Sequence, residues 1–253
     1  MNLSKIQLKK HLQKIQKNFS KNYAETFDFE RLTSDSYKTK KIYDQSFIGF
    51  MRKKQGVKGS NSLILLIESE LNKISKYPEL VQKLAFINIV SHFEVFFQEI
   101  TWLVLRINWK AFSNSDQKSL TYKKIFQFDS PKSLLDNIIS KEVQDLTYKK
   151  KRDHIEELEN KYNFSTLEFV GYDNSEKEKE KRLLQLEEIF ETRNIILHNS
   201  NYINEKYLKI ITNTDYKIGD QRKIDHEYFI ESSTFMAILG GHILNCFDEK
   251  YLK

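Results

Sequence analysis

Seven glycines and two prolines punctuate 253 residues. A β-sandwich or barrel of this length needs many tight turns, and tight turns draw on those two residue types. Their scarcity argues against such folds and points to long helices joined by few loops. The apolar share, 40%, is enough to build one real core, and with 30% charged residues the chain has a globular rather than a disordered balance.

The apolar periodicity places the helices. Leu3, Ile6, Leu8, Leu12, Ile15 and Phe19 recur at roughly helical spacing among lysines. Residues 20–60 are mixed and aromatic, with no clear period. Gly56, Gly59, Ser60 and Asn61 read as a loop before a helix over 62–76, which Tyr77-Pro78 ends because the residue before proline avoids the helical region. Residues 81–109 are apolar on more than one face, as in a helix buried centrally. Ser113 to Asp116 read as a loop, and two amphipathic stretches follow over 131–150 and 151–163. A helix then spans about 176–198 and a last one about 227–249. Between them, two short β-like runs about Gly219-Asp220 suggest a β-hairpin. The expected fold is all-α, an up-and-down bundle of four to five long helices.

The positive charge is uneven. Residues 1–60 hold 14 Lys and Arg against 5 acids, a balance of +9; the rest holds 27 against 30, a balance of −3. A basic segment on a near-neutral body is the footprint of a polyanion binder, although a solvated basic helix has the same composition. The expected division is a basic N-terminal extension over 1–60 and a helical bundle over 61–253.

Other classes drop out. The single cysteine, Cys246, excludes an intramolecular disulfide framework and a cysteine-based zinc cluster, and its apolar helix reads as burying it. No cofactor is expected. The most apolar run, Val95 to Ile107, is broken by Gln98, Glu99 and Arg106, and lysines stand where a secretory signal needs apolar residues. The expectation is a soluble, cytoplasmic chain with no membrane partner.

The chemistry concentrates in the helix ending at His198. On a helical wheel Leu183, Leu186, Ile189, Phe190, Ile196 and Leu197 share one arc, and Arg193 falls inside it. A guanidinium on a core-facing stripe needs a partner or a polar cavity. Glu94, the acid inside the most buried helix, is a candidate partner and would orient the arginine. A second, polar stripe carries Glu191, Asn194 and His198, with Asn194 and His198 one turn apart. Leu184 and Ile195 lie near that stripe, off the core arc, and suggest a second packing surface for a partner helix or subunit. Arg193 and His198 sit about 140° apart, so one helix alone is not expected to bring them together. Two helices about a symmetry axis would.

Arg193-Asn-Ile-Ile-Leu-His198 resembles the Arg-x4-6-His signature of HEPN domains (higher eukaryotes and prokaryotes nucleotide-binding), in which a polar residue follows the arginine. The flanks, Leu186 to Thr192 and His198 to Leu208, are similar to bacterial HEPN proteins, as are Val90 to Phe97 and the Tyr216 to Asp220 turn. The likeness covers about residues 80–250. It implies a helical bundle that dimerises and, in many members, cleaves RNA without metal, with Arg and His of both subunits lining the interface cleft. By that likeness Arg193, Asn194 and His198 are the catalytic residues, Glu94 and Glu191 support them, and no metal is held. His198 would move protons between the 2′-hydroxyl and the leaving 5′-oxygen, Arg193 would stabilise the phosphorane, and Asn194 would hold His198 or a phosphate oxygen. The products would be a 2′,3′-cyclic phosphate and a 5′-hydroxyl. The expected activity is that of a toxin or antiviral-defence ribonuclease, with RNA as substrate, a homodimer as working form and an antitoxin or other regulatory protein as restraint. Some HEPN toxins carry a modified tyrosine two residues after the histidine; here that position is Ser200. The competing readings are a bundle of this kind that binds RNA or protein without cutting, and a structural helical protein. Tyr202 and Tyr207 read as packing residues, and His92, His154, His226 and His242 as structural or surface residues.

Overall fold

The computed structural model describes residues 3–53, 60–114, 120–169, 171–211 and 215–253. Their helices, in order, are α1 (Lys5–Lys53), α2 (Ser60–Ile74), α3 (Tyr77–Ile107), α4 (Tyr122–Ile125), α5 (Pro131–Tyr148), α6 (Lys151–Tyr162), α7 (Glu176–His198), α8 (Glu205–Ile210) and α9 (His226–Tyr251), with a 3-10 segment, Trp109–Asn114, after α3. The protein is an all-α bundle. Gly56, Gly59, Ser115 and Asp116, read from the sequence as loop residues, lie outside the described residues.

Helix α3 is the axis of the bundle, and α1, α5, α7 and α9 pack around it. Phe86, Ile89, Val90, Phe93, Ile100, Leu103 and Val104 are buried along its length on several faces. That is why its sequence shows no single apolar stripe. Pro78 does not end a helix: α2 stops at Ile74, and the proline lies in the first turn of α3, where its missing N–H is not needed. By length and composition one stretch, Ser62–Ile107, passes as a membrane span. It is interrupted by the turn at Ser75-Lys76, and its α3 portion supplies the bundle core.

The basic N-terminal segment is not an extension of the bundle but part of it. Helix α1 runs for 49 residues, about 70 Å at 1.5 Å per residue, and takes in residues 20–53 of the stretch that had no clear period. No proline interrupts it and its first glycine is Gly49. Leu8, Leu12, Ile15, Phe19 and Tyr23 form one buried stripe in the main core. Phe19 stacks on Phe96 of α3, with ring centres 4.5 Å apart, and the Tyr23 hydroxyl donates to the Ser233 carbonyl of α9 at 2.8 Å. The distal half of α1 lies against α2 and the start of α3, through an Arg52–Glu68 pair at 2.6 Å and stacked Tyr37 and Tyr77 rings. The core therefore crosses residue 60, where a division was expected.

Two details position the site. Ser130 and Ser133 form a capping box at the start of α5, with Pro131 in its first turn. Extended backbone at Lys149 and Lys150 separates α5 from α6, so the two run as distinct helices. After α7 the chain reverses through Ser200 and Asn201, both in the left-handed region, with φ of 50° and 69°. Their position after the last turn closes α7 as the N–H groups of Asn199 and Asn201 donate to the Ile195 carbonyl. Among the described residues the expected β-hairpin is reduced to one isolated antiparallel bridge, Tyr202 to Gln221. Gly219, at φ 89°, does form a turn, but the residues after it pair with 201–203 beyond α8 rather than across the turn.

Candidate active site

Helix α7 carries the site because its two faces have different partners. The apolar arc packs on α3: Leu183, Leu186, Ile189 and Phe190 all lie in the main core. Arg193 is on that side, and the expected partner is present. Its Nη2 donates to Glu94 Oε2 at 2.7 Å. The other carboxylate oxygen, Oε1, accepts from Lys151 Nζ of α6 at 2.9 Å. Lys151 Nζ also lies 4.5 Å above the centre of the Phe190 ring, and the Arg193 guanidinium lies 5.8 Å from it. Two cations share one carboxylate, so this wall keeps a net positive charge in a half-buried setting. The Arg193 Nε is buried without a hydrogen-bond partner among the described residues.

Arg193 and His198 border one cleft of about 610 Å³, whose remaining walls come from α3 (Glu94, Gln98) and α5 (Gln144, Tyr148). The wheel separates the two side chains, and no hydrogen bond joins them among the described residues; α5 supplies the wall that puts both in a common space. His198 is exposed, in the last turn of α7. It also borders a second cleft, of about 350 Å³, with Asn194, Asn199, Asn204 and Lys206.

Asn194 and His198 line this second cleft together, but no hydrogen bond joins them among the described residues. The Asn194 amide donates instead to Glu191 Oε1 at 3.3 Å, and Lys206 Nζ of α8 approaches the same oxygen at 3.0 Å. Glu191 thus links α7 to α8 and turns Asn194 away from the histidine. Of the second packing surface expected at Leu184 and Ile195, the Ile195 part is taken up within the chain. Ile203 and Tyr207 of the same chain cover it, while Leu184 stays exposed.

A polar hub one turn before Arg193 holds the end of the site. Glu188 Oε1 accepts from Thr192, Tyr207 and Arg222, at 3.0, 3.0 and 3.2 Å, and Oε2 accepts from Tyr228 at 2.7 Å. The Arg222 guanidinium lies 4.0 Å from the Tyr228 ring centre. Burial first, then the Glu188 charge, push Tyr207 up to about 12 and Tyr228 well above the usual tyrosine range, so both remain donors. This hub ties α7, α8, α9 and the segment before α9 together. Tyr207 is the packing residue the sequence suggested, whereas Tyr202 is half exposed.

Lys151, Tyr148, Gln98, Gln144, Lys206 and Glu188 were not marked by the sequence. Gln98, Gln144, Tyr148 and Lys151 join the site through helix packing across long chain separations, while Glu188 lies on α7 itself and Lys206 on α8, just beyond the turn that ends α7. Of the remaining histidines, His154 is buried and His242 stacks on Phe169. Cys246 is half-buried rather than buried. No group of three or more His, Cys, Asp and Glu arranged to hold a metal is found among the described residues.

Comparison with protein-family models, with curated proteins and with solved structures gives no match.

Proposed function

We propose that this chain is a metal-independent endoribonuclease of the HEPN type, working as a homodimer in a toxin or antiviral-defence role. The observation that carries the reading is the Glu94–Arg193 pair on the wall of a cleft that His198 also borders. Glu94 sets the guanidinium in place, and Lys151 offsets the carboxylate charge, so the wall still attracts a phosphate. An exposed imidazole at the cleft edge is accessible to a 2′-hydroxyl and can take or return its proton. Attack of the 2′-oxygen on the adjacent phosphorus, with departure of the 5′-oxygen, leaves a 2′,3′-cyclic phosphate and a 5′-hydroxyl. The half-exposed Leu197 beside His198 offers an apolar contact to a second subunit.

The second reading is a HEPN-like bundle that holds RNA or a protein without cutting. One observation favours it: Asn194 is committed to Glu191, and among the described residues no hydrogen bond orients the His198 side chain. RNA digestion in EDTA, with product ends read by mass, separates the two. Cleavage by the wild type with cyclic phosphate ends, lost in His198→Ala and in Arg193→Ala, supports the nuclease. Cleavage retained in both variants sinks it, and intact RNA with every form favours the binding module. Light scattering reads the dimer directly.

A further inference from the structure

His198 stands on a ridge between the two clefts. The larger holds Arg193 at its wall and Tyr148 at its rim; the smaller is polar and carries Lys206. Both have volumes in the range that small-molecule sites occupy. Tyr148 is the last residue of α5, and it is 82% exposed. Among the described residues no ring stacks on it and no hydrogen bond holds its hydroxyl. The extended backbone of Lys149 and Lys150 begins directly after it, which leaves its ring at the open end of the helix. Gln98 and Gln144 present side-chain amides on the same cleft. An amide offers both a donor and an acceptor, the complement of a base edge.

We infer that the Arg193 cleft is a nucleotide subsite for single-stranded RNA. Tyr148 stacks on the base next to the phosphate at Arg193, Gln98 and Gln144 hydrogen bond to that base's edge, and the strand crosses the His198 ridge toward Lys206. The substrate class follows from the geometry. A base inside an A-form duplex is stacked on both faces and its major-groove edge is out of side-chain reach, whereas an unpaired base can be splayed onto an aromatic ring. The inference rests on the ribonuclease reading only for the phosphate at Arg193 and His198; the base subsite stands on the cleft and the exposed ring.

The test uses the full chain carrying His198→Ala, so that RNA stays intact, and fluorescence anisotropy with a fluorescein-labelled RNA decamer of mixed sequence. The single strand binds more tightly than the same decamer in a duplex. Tyr148→Ala weakens single-strand binding about tenfold, equivalent to about 1.4 kcal/mol, while Tyr148→Phe stays within about twofold because the ring face is kept. The exposure of Tyr148 leaves the fold intact, which circular dichroism checks. Unchanged affinity in Tyr148→Ala, equal affinity for duplex, or no binding to the decamer each overturn the subsite. Cleavage separates this outcome from the fate of the nuclease reading. Wild type that cuts in EDTA, with a KM that Tyr148→Ala does not move, leaves a nuclease without this subsite. Tyr148-dependent binding with no cutting leaves the subsite on a binding module.

Discussion

Glu94 and Arg193 lie 99 positions apart in the chain and meet at 2.7 Å, with Lys151 on the second carboxylate oxygen. The carboxylate bridges the two cations. Replacing it by Glu94→Gln keeps the shape and leaves Arg193 facing Lys151. The expected loss of stability is about 1–2 kcal/mol, since all three groups retain some solvent. Urea unfolding measures it. RNA cleavage in the same variant falls by about tenfold or more, because the guanidinium loses its anchor. A variant as stable and as active as the wild type would remove Glu94 from the site.

Glu188 has a different dependence. Four donors from three helices and the segment before α9 converge on its two oxygens. Glu188→Ala removes the acceptor that all four share and the counter-charge of Arg222, which keeps the Tyr216 hydroxyl and the Lys223 carbonyl, a change expected to cost about 3 kcal/mol. Limited proteolysis should then cut first within residues 199–225, the stretch the hub pins. Unfolding midpoints equal to the wild type, with no new cleavage there, would contradict the hub.

Gly240 of α9 lies directly against the Phe19 ring of α1. A Cβ at that position would lie 2.7 Å from the Phe19 ring, which is itself stacked on Phe96. Gly240→Ala is therefore destabilising by about 1–3 kcal/mol despite the better helix propensity of alanine. Adding Phe19→Leu should make the double variant lose less than the sum of the single losses. Additive losses would mean that the two helices do not meet there.

His154 sets an acid limit. The Thr101 hydroxyl donates to the Phe97 carbonyl at 2.8 Å, so it accepts from His154 Nε2 at 3.0 Å. That assigns the neutral tautomer with a bare Nδ1, and Nδ1 is buried without a partner among the described residues. Burial first, then the Lys151 and Lys149 charges, hold His154 down to about 3. The unfolded chain takes up a proton near the ordinary histidine value, about 6.5. Stability from this group is thus present above that value and is lost as pH falls from there toward 3, by about 3 kcal/mol at pH 4. His154→Gln removes the titration. Urea unfolding at pH 7 and pH 4 should show the wild type losing that much more than the variant; equal losses would refute the assignment.

The sequence by itself determined the helical class and the placement of α3, α7 and α9 to within a few residues, and it offered Glu94 as a candidate partner of Arg193. Scarce glycine and proline and a strong 3.6-residue period are local properties, legible without neighbours. The Glu94 pairing was legible too, because a charge inside an apolar helix demands a counter-charge. The length of α1 was not, since its distal half has no clean stripe and is held by α2 rather than by periodicity. Its place in the core was hidden for a related reason: charge counts weigh every residue equally, while burial selects one face in four residues. Only the tertiary structure decided that Ile195 is covered by the chain's own α8, that Asn194 turns to Glu191, and that Lys151, Tyr148 and Glu188 surround the site. Lys151 and Tyr148 reach the site across tens of residues, fixed by how helices pack against α3, whereas Glu188 and Glu191 stand within a few residues of Arg193 on α7 and take their partners from packing against α8 and α9.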